Sequence, residues 1–361
     1  MQNNLTVFYE QKPAYDIVIE NDFGGFLSAL EPLNMRNRRF LILSDTNVSL
    51  HYLDELSILL YGYAKSVSTY VFPAGESSKN LDTVSACYEQ LILASFDRND
   101  VLVALGGGVV GDLTGFVAAT YLRGIRFVQV PTSLLAMVDS SIGGKTGVDF
   151  KAYKNMVGAF HQPELVYMNI ATLNTLNDVQ FNSGMGEIIK HGLIKDASYY
   201  LWLKEHVLQV KTMEFAILKE MIYRSCQIKK AVVEEDPKEA GERALLNFGH
   251  TIGHSVEKLM DFTLLHGECV SIGIAAASYL SMKRGFLHQD TYNDILTTLM
   301  NYGQPVKISG LDVDEILAVT KNDKKMDMNQ IRFILLTQIG HAIIDTTVTQ
   351  DEMREAVLSL F

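Results

Sequence analysis

Two histidines four residues apart, His250 and His254 in "NFGHTIGHSVE", share one face of any helix drawn through them. His266 in "LLHGE" and Glu187 in "GMGEIIKHG" add two more groups of the kind that hold a catalytic divalent ion. Such an ion takes three protein ligands from His, Glu or Asp and keeps one position open. Residue 251 is Thr, so the pair is not the HExxH arrangement that carries its own glutamate base. Spacing leaves open which three of the four would bind. Glu187 and Lys190 are also one helical turn apart, which sets a ligand beside a cation.

A second chemistry is written in "VLVALGGGVVGDLTGF" (101–116), a strand, a glycine run and a helix start in which Gly106, Gly108 and Gly111 satisfy GxGxxG. Glycines there let backbone approach a pyrophosphate, and free N–H groups at the helix start supply positive potential. The motif lies well into the chain, and no acidic residue follows at the ribose-binding distance. Asp45 and Asn47 in "SDTNV", or Glu76 and Lys79 in "AGESSK", are candidates to fill that part. A third tract (120–161) sets Gly143, Gly144 and Gly147 around Lys145, with Lys154 and Asn155 close behind. It suits anion binding but is not a GxxxxGK[ST] phosphate loop, and a solvated surface loop explains it equally well.

These groups have to be positioned by a chain of 361 residues, beyond the roughly 250–300 at which one core stops growing, so two domains are expected. Across 1–177, apolar runs at 38–45, 68–72, 100–105, 126–130 and 164–170 read as buried strands. Leu81, Val84, Tyr88, Leu91 and Ile92 recur between them at helical spacing, which predicts an α/β domain with a mostly parallel sheet. The remainder, 178–361, reads as mainly helical, with helices around 184–194, 213–233, 249–260, 267–284, 289–301 and 349–360 and a hairpin at 330–344 turning at Gly340.

A net charge of −11 with no basic tract argues against nucleic acid as a partner, so an anionic substrate needs a local basic pocket. No secretory pattern opens the sequence, and the longest apolar stretches are too short to cross a bilayer. Cys87, Cys226 and Cys269 are odd in number and form no CxxC pair, which fits a reduced, cytoplasmic compartment, and the short apolar stretches give no expectation of a membrane partner.

Taken together, "GESSK", "GGGVVGD", "YLRG", "VPTSLLAMVDSSIGGKTGVD", "KNMVGAFHQP", "SGMGEIIKHGLI", "RALLNFGHTIGHSVE" and "LHGE", in that order, resemble the 3-dehydroquinate synthase family of sugar phosphate cyclases. The resemblance implies an N-terminal Rossmann-like NAD domain followed by a helical metal-binding domain. It implies conversion of 3-deoxy-D-arabino-heptulosonate 7-phosphate to 3-dehydroquinate and phosphate, by transient oxidation with NAD, β-elimination, reduction and intramolecular aldol closure. Zn2+ or Co2+ is implied on Glu187, His250 and His266. His254 is then left for the substrate phosphate, with Asn155, Asn247 and Arg123, the last reaching across a homodimer.

Lys145 and Arg243 are implied for the substrate carboxylate, Asp139, Lys190 and Lys229 for ring hydroxyls, and Lys324 or Lys325 for the phosphate. NAD contacts carry over to Glu76, Lys79, Gly107, Gly108, Val109, Gly111, Asp112, Thr132, Ser133, Lys145, Lys154, Thr172 and Thr175, beside Asp45 and Asn47. Asn177 stands where relatives often have Pro. Two other readings share much of this residue set. One is a cyclase for a sugar phosphate lacking a carboxylate, against which Lys145 and Arg243 argue. The other is a metal-dependent NAD alcohol dehydrogenase, against which the phosphate-handling tract argues.

Overall fold

The structure, a computed structural model, describes residues 4–151, 153–239, 241–261, 263–323 and 332–361. Lys324 and Lys325 lie outside the described residues. The chain divides into two compact units, Met1–Leu176 and Asn177–Phe361.

The first unit is built on strands β1 (Asn4–Tyr9), β2 (Lys12–Glu20), β3 (Arg39–Asp45), β4 (Ser66–Phe72), β5 (Val101–Gly106) and β6 (Arg126–Pro131). A separate hairpin of β7 (Lys145–Phe150) and β8 (Tyr153–Phe160) precedes the last strand, β9 (Leu165–Asn169). The sheet order is β1-β2-β9-β6-β5-β3-β4, antiparallel between β1 and β2 and parallel elsewhere. Helices α1 (Phe26–Leu30), α2 (Ser49–Tyr61), α3 (Leu81–Leu93) and α4 (Gly108–Thr120) cover its faces.

Alternation along the strands feeds two cores. Phe40, Ile42, Val101, Val103 and Leu105 pack on the side of α1 and α2, while Leu41, Leu43, Leu102 and Ala104 pack on the side of α3 and α4. Strands buried on both faces read as unbroken apolar runs, which is why β3, β5, β6 and β9 are visible in the sequence. The β1–β2 pair and the β7–β8 hairpin were not expected. They alternate buried and exposed residues, or expose much of their length, and so carry no such run.

The second unit holds α5 (Asp178–Lys195), α6 (Ala197–Glu205), α7 (Val207–Lys211), α8 (Phe215–Glu235), α9 (His250–Leu259), α10 (His266–Lys283), α11 (Gln289–Asn301), α12 (Val313–Asp323) and α13 (Gln350–Leu358). The predicted hairpin is present as β10 (Phe333–Gln338) and β11 (His341–Asp345), with Gly340 at φ +83° between them. Of the helices, α6, α7 and α12 carried no expectation. Asn177 accepts from the Gln180 N–H at 2.9 Å and so caps α5, a bond that Pro, with no side-chain acceptor, could not make.

Helix α10 is buried nearly all round, and glycine lets it lie against its neighbours. A Cβ added at Gly267 would stand 1.7 Å from the Ser183 carbonyl oxygen on α5, and one at Gly273 1.7 Å from the Gly249 carbonyl oxygen just before α9. Because those neighbours are backbone, they cannot swing aside. Gly273→Ala should therefore destabilise the fold by at least the ~1–3 kcal/mol typical of overpacking. A thermal melt showing an unchanged midpoint would contradict that close packing.

Candidate active site

The parallel sheet gathers the first set of candidates at its C-terminal edge. Strand order reverses at β3, with β4 on one side and β5 on the other, and ligands of open α/β sheets bind beyond the carboxyl ends at such a point. Asp45 ends β3 and Asn47 follows it; Glu76 and Lys79 follow β4, Gly107 and Gly108 follow β5, Thr132 and Ser133 follow β6, and Thr172 and Thr175 follow β9. Asp45 accepts the N–H groups of Asn47 and Val48 at 2.8 and 3.0 Å. The Tyr52 hydroxyl meets Thr175 Oγ1 at 2.6 Å and donates to the Thr172 carbonyl at 3.2 Å.

Helix α4 starts at Gly108 with no side-chain cap, so its first N–H groups are open to an anion. A Cβ on Gly108 would stand a tight 3.1 Å from Ser140 Oγ, whereas one on Gly107 would meet Ser133 Oγ at an ordinary 3.4 Å. One at Gly111 would come within 2.6 Å of Gln129 Oε1, on β6, which explains the third glycine as a packing requirement. Such a cradle fits a dinucleotide pyrophosphate, with Val109 in the same first turn.

Lys79 is buried and donates to Asp112 Oδ2 and to Asn155 Oδ1, each at 2.6 Å. Burial works against its ammonium, but Asp112, Glu76 and Asp149 outweigh it and raise the pKa above the ordinary lysine value. Because lysine only donates, the bond fixes the Asn155 carbonyl toward it and turns the amide NH2 away as a donor. Asn155 itself holds φ at +55°, with its N–H on Asp149 Oδ1 at 2.8 Å. Lys154 is half-buried next to it. Lys145, the first residue of β7, is exposed; Asp139 lies in the π-helical turn Ala136–Ser140; Arg123 is exposed at φ +67°.

The second unit brings the metal candidates together. Glu187, in the middle of α5, is fully buried, and its Oε1 stands 3.6 Å from both His250 Nε2 and His266 Nε2. That is too long for a good hydrogen bond. It matches the ~3.4 Å between two ligands that each sit about 2.0–2.2 Å from a tetrahedral ion. Neither Glu187 oxygen has a hydrogen-bond donor in bonding geometry among the described residues, although Lys190 Nζ pairs with Oε2. A buried carboxylate so placed is suited to a cation, so the donor set fits a divalent metal.

His250 and His266 are the first residues of α9 and α10, and His254, exposed, lies one turn further along α9 with its ring 4.9 Å from that of His250. One nitrogen from each of the three histidines lies within 4.8 Å of the others. Burial and then the Lys190 charge hold His250 well below its ordinary pKa, leaving the neutral imidazole that a metal needs. His266 is the reverse: burial lowers it, but Glu187 and Glu257 raise it to about 9.

Around this group the helices place further cations. Lys190 and Lys229 are buried on α5 and α8. Arg243 is buried in the turn Glu242–Asn247 and donates to the Pro237 carbonyl at 2.8 Å; Asn247 donates to Glu239 Oε1 at 3.2 Å. Two buried polar residues were missed by sequence reasoning. His191 Nδ1 meets Ser225 Oγ at 2.6 Å, tying α5 to α8 one turn from Lys229. Glu257 Oε2 meets His266 Nδ1 at 3.5 Å. Both stand inside quoted motifs, and only their burial distinguishes them from surface polar residues.

A parallel-sheet unit with a glycine cofactor turn and a helical unit with a Glu–His–His constellation suit an NAD- and metal-dependent enzyme, and similarity to known proteins narrows the class to sugar phosphate cyclases. The structure of a 2-epi-5-epi-valiolone synthase from Streptomyces hygroscopicus subsp. jinggangensis 5008, bearing NAD+ and Zn2+, superposes with a TM-score of 0.89 at 29% identity over 99% of both chains. A 2-deoxy-scyllo-inosose synthase, complexed with carbaglucose-6-phosphate, NAD+ and Co2+, has the same fold, with a TM-score of 0.89 at 22% identity over 99% of this chain and 100% of that one.

Within that class, residues 69–183 match the 3-dehydroquinate synthase N-terminal family and residues 184–326 its C-terminal counterpart. The 3-dehydroquinate synthase of Acetivibrio thermocellus is 42% identical over 351 residues, 97% of each chain. The chain belongs to the 3-dehydroquinate synthase family.

Proposed function

We propose that the chain is a 3-dehydroquinate synthase that takes 3-deoxy-D-arabino-heptulosonate 7-phosphate to 3-dehydroquinate and inorganic phosphate. The observation that carries this, in a member of this family, is the buried Glu187 with two imidazoles at 3.6 Å and Lys190 beside it. NAD and Zn2+ or Co2+ are the cofactors: when bound, the dinucleotide supplies a reversible oxidation and the ion polarises the substrate oxygen it holds.

In this reading Glu187, His250 and His266 hold the ion. The glycine turn, Lys79 with Asp112, and the loops after β3, β4, β6 and β9 hold the dinucleotide. Lys145 and Arg243 neutralise the carboxylate; Asp139, Lys190 and Lys229 orient ring hydroxyls; Asn155, Asn247, His254 and Arg123 receive the phosphate. A doubly anionic substrate explains why an acidic protein buries Lys190, Lys229 and Arg243. Their work is orientation and charge neutralisation, with groups fixed before the substrate arrives.

The homodimer belongs to the same proposal. Tyr153, Met156 and Phe160 of β8, Phe150 and Leu122 next to Arg123 are all exposed apolar side chains that a second copy would cover. A cytoplasmic setting is supported by three buried cysteines that form no disulfide. Among the described residues no helix is long and apolar enough to cross a membrane.

The test is phosphate release from the heptulosonate phosphate with catalytic NAD and zinc. Turnover should release one phosphate per substrate without net NADH, stop on chelation and return when zinc is restored. Stoichiometric NADH would favour an alcohol dehydrogenase. Equal turnover of sedoheptulose 7-phosphate would favour a cyclase indifferent to the carboxylate.

A further inference from the structure

We propose that Glu257 is a positioning residue of the metal centre: its carboxylate takes the Nδ1 hydrogen of His266 and thereby aims the Nε2 lone pair at the ion. This deepens the proposed function and rests on His266 being a ligand. The imidazole of His266 lies between two buried carboxylates. Nε2 is 3.6 Å from Glu187 Oε1, and on the opposite edge of the ring Nδ1 is 3.5 Å from Glu257 Oε2. The Glu257 side chain is only 8% exposed, so it is not a surface charge that happens to lie nearby.

The two ligand histidines differ in what steadies them. His250 has the backbone carbonyl of Phe248, 3.2 Å from its Nδ1. His266 opens α10 with a 30% exposed side chain, and the carboxylate performs the same task for it from another helix. Glu257 stands seven residues after His250, two turns along α9 and on the same face. One helix thus supplies a ligand and also orients the ligand carried by its neighbour. A carboxylate in that position fixes the tautomer and strengthens the imidazole as a donor, and losing such a partner typically weakens metal binding 10–100-fold.

The experiment measures zinc affinity by competition with a chromophoric chelator on folded protein, for wild type, Glu257→Gln, Glu257→Ala and His266→Ala. Glu257→Ala should bind zinc about 10–100-fold more weakly than wild type, and Glu257→Gln, which keeps an acceptor without the charge, should fall between them. If both Glu257 variants bind like wild type while His266→Ala does not, the carboxylate is only a helix–helix contact and the proposal is overturned. If His266→Ala also binds like wild type, His266 is no ligand; that result overturns the metal reading and this inference with it. Should Glu257→Ala fail to fold, the isosteric Gln variant still decides, since a wild-type affinity in it would remove the role of the charge.

Discussion

His250→Ala should lose its metal, whereas His254→Ala should keep it and lose turnover. The two residues are one helical turn apart, and their rings and that of His266 are close enough for three nitrogens to meet one ion. What separates them is Glu187. A fully buried carboxylate with Oε1 3.6 Å from the Nε2 atoms of His250 and His266 would complete a three-ligand set of the kind that keeps one position open for substrate. His250 is also held neutral by burial and by Lys190, so its lone pair is available. His254 is exposed, as suits a group that meets a phosphate arriving from solvent.

Removing a direct ligand should cost more than the ~10–100-fold typical of an outer partner, so His250→Ala should elute from gel filtration with little zinc. Loss of a proton-handling or phosphate-facing imidazole costs about 10²-fold or more in rate. Metal analysis of the two variants checks the division. If both lose zinc, the three histidines form the site and Glu187 has another task.

How much of this was legible depends on where the physics is local. β3 and β5 could be read because burial on both faces leaves uninterrupted runs such as "FLIL" and "VLVAL". The glycine turn was legible because backbone approach constrains residue type at fixed spacing. The β7–β8 hairpin was not, since a small two-stranded sheet with exposed Tyr153, Met156 and Phe160 has no two-sided burial to write into the sequence. The histidine pair was visible, but spacing alone left the choice among ligands open: the family resemblance supplied it, and its geometric ground is Glu187 arriving from a different helix. The Lys79–Asn155 bond joins residues 76 apart in sequence, and Glu257 in "HSVE" reads as an ordinary helix-surface charge until its burial is known.

Lys190→Ala should leave zinc in place while destabilising the metal-free protein and impairing turnover. Lys190 and Glu187 form an ion pair in which the carboxylate is fully buried and the lysine side chain is 2% exposed. Removing one partner of such a pair strands the other charge, at a cost of about 3–5 kcal/mol. Burial pushes the Glu187 carboxyl upward, but Lys190 foremost, then His266 and His250, hold it well below the usual range. A depressed carboxyl stabilises the fold above the unfolded value of about 4.3 and stops doing so as pH falls through the lower folded value.

Without Lys190 the folded value rises toward what burial dictates. The deficit of the variant should then be largest at neutral pH and narrow in acid, where Glu187 is neutral and the lysine has no charge to pair with. A divalent ion placed against Glu187 supplies the missing positive charge, so zinc should raise the melting temperature of Lys190→Ala by more than it raises that of wild type. Metal analysis and melts with and without zinc, taken between neutral and acid pH, test each step. Zinc missing from the variant would mean that Lys190 sustains the centre itself; a deficit that grows in acid would mean that its partner is not the charged Glu187.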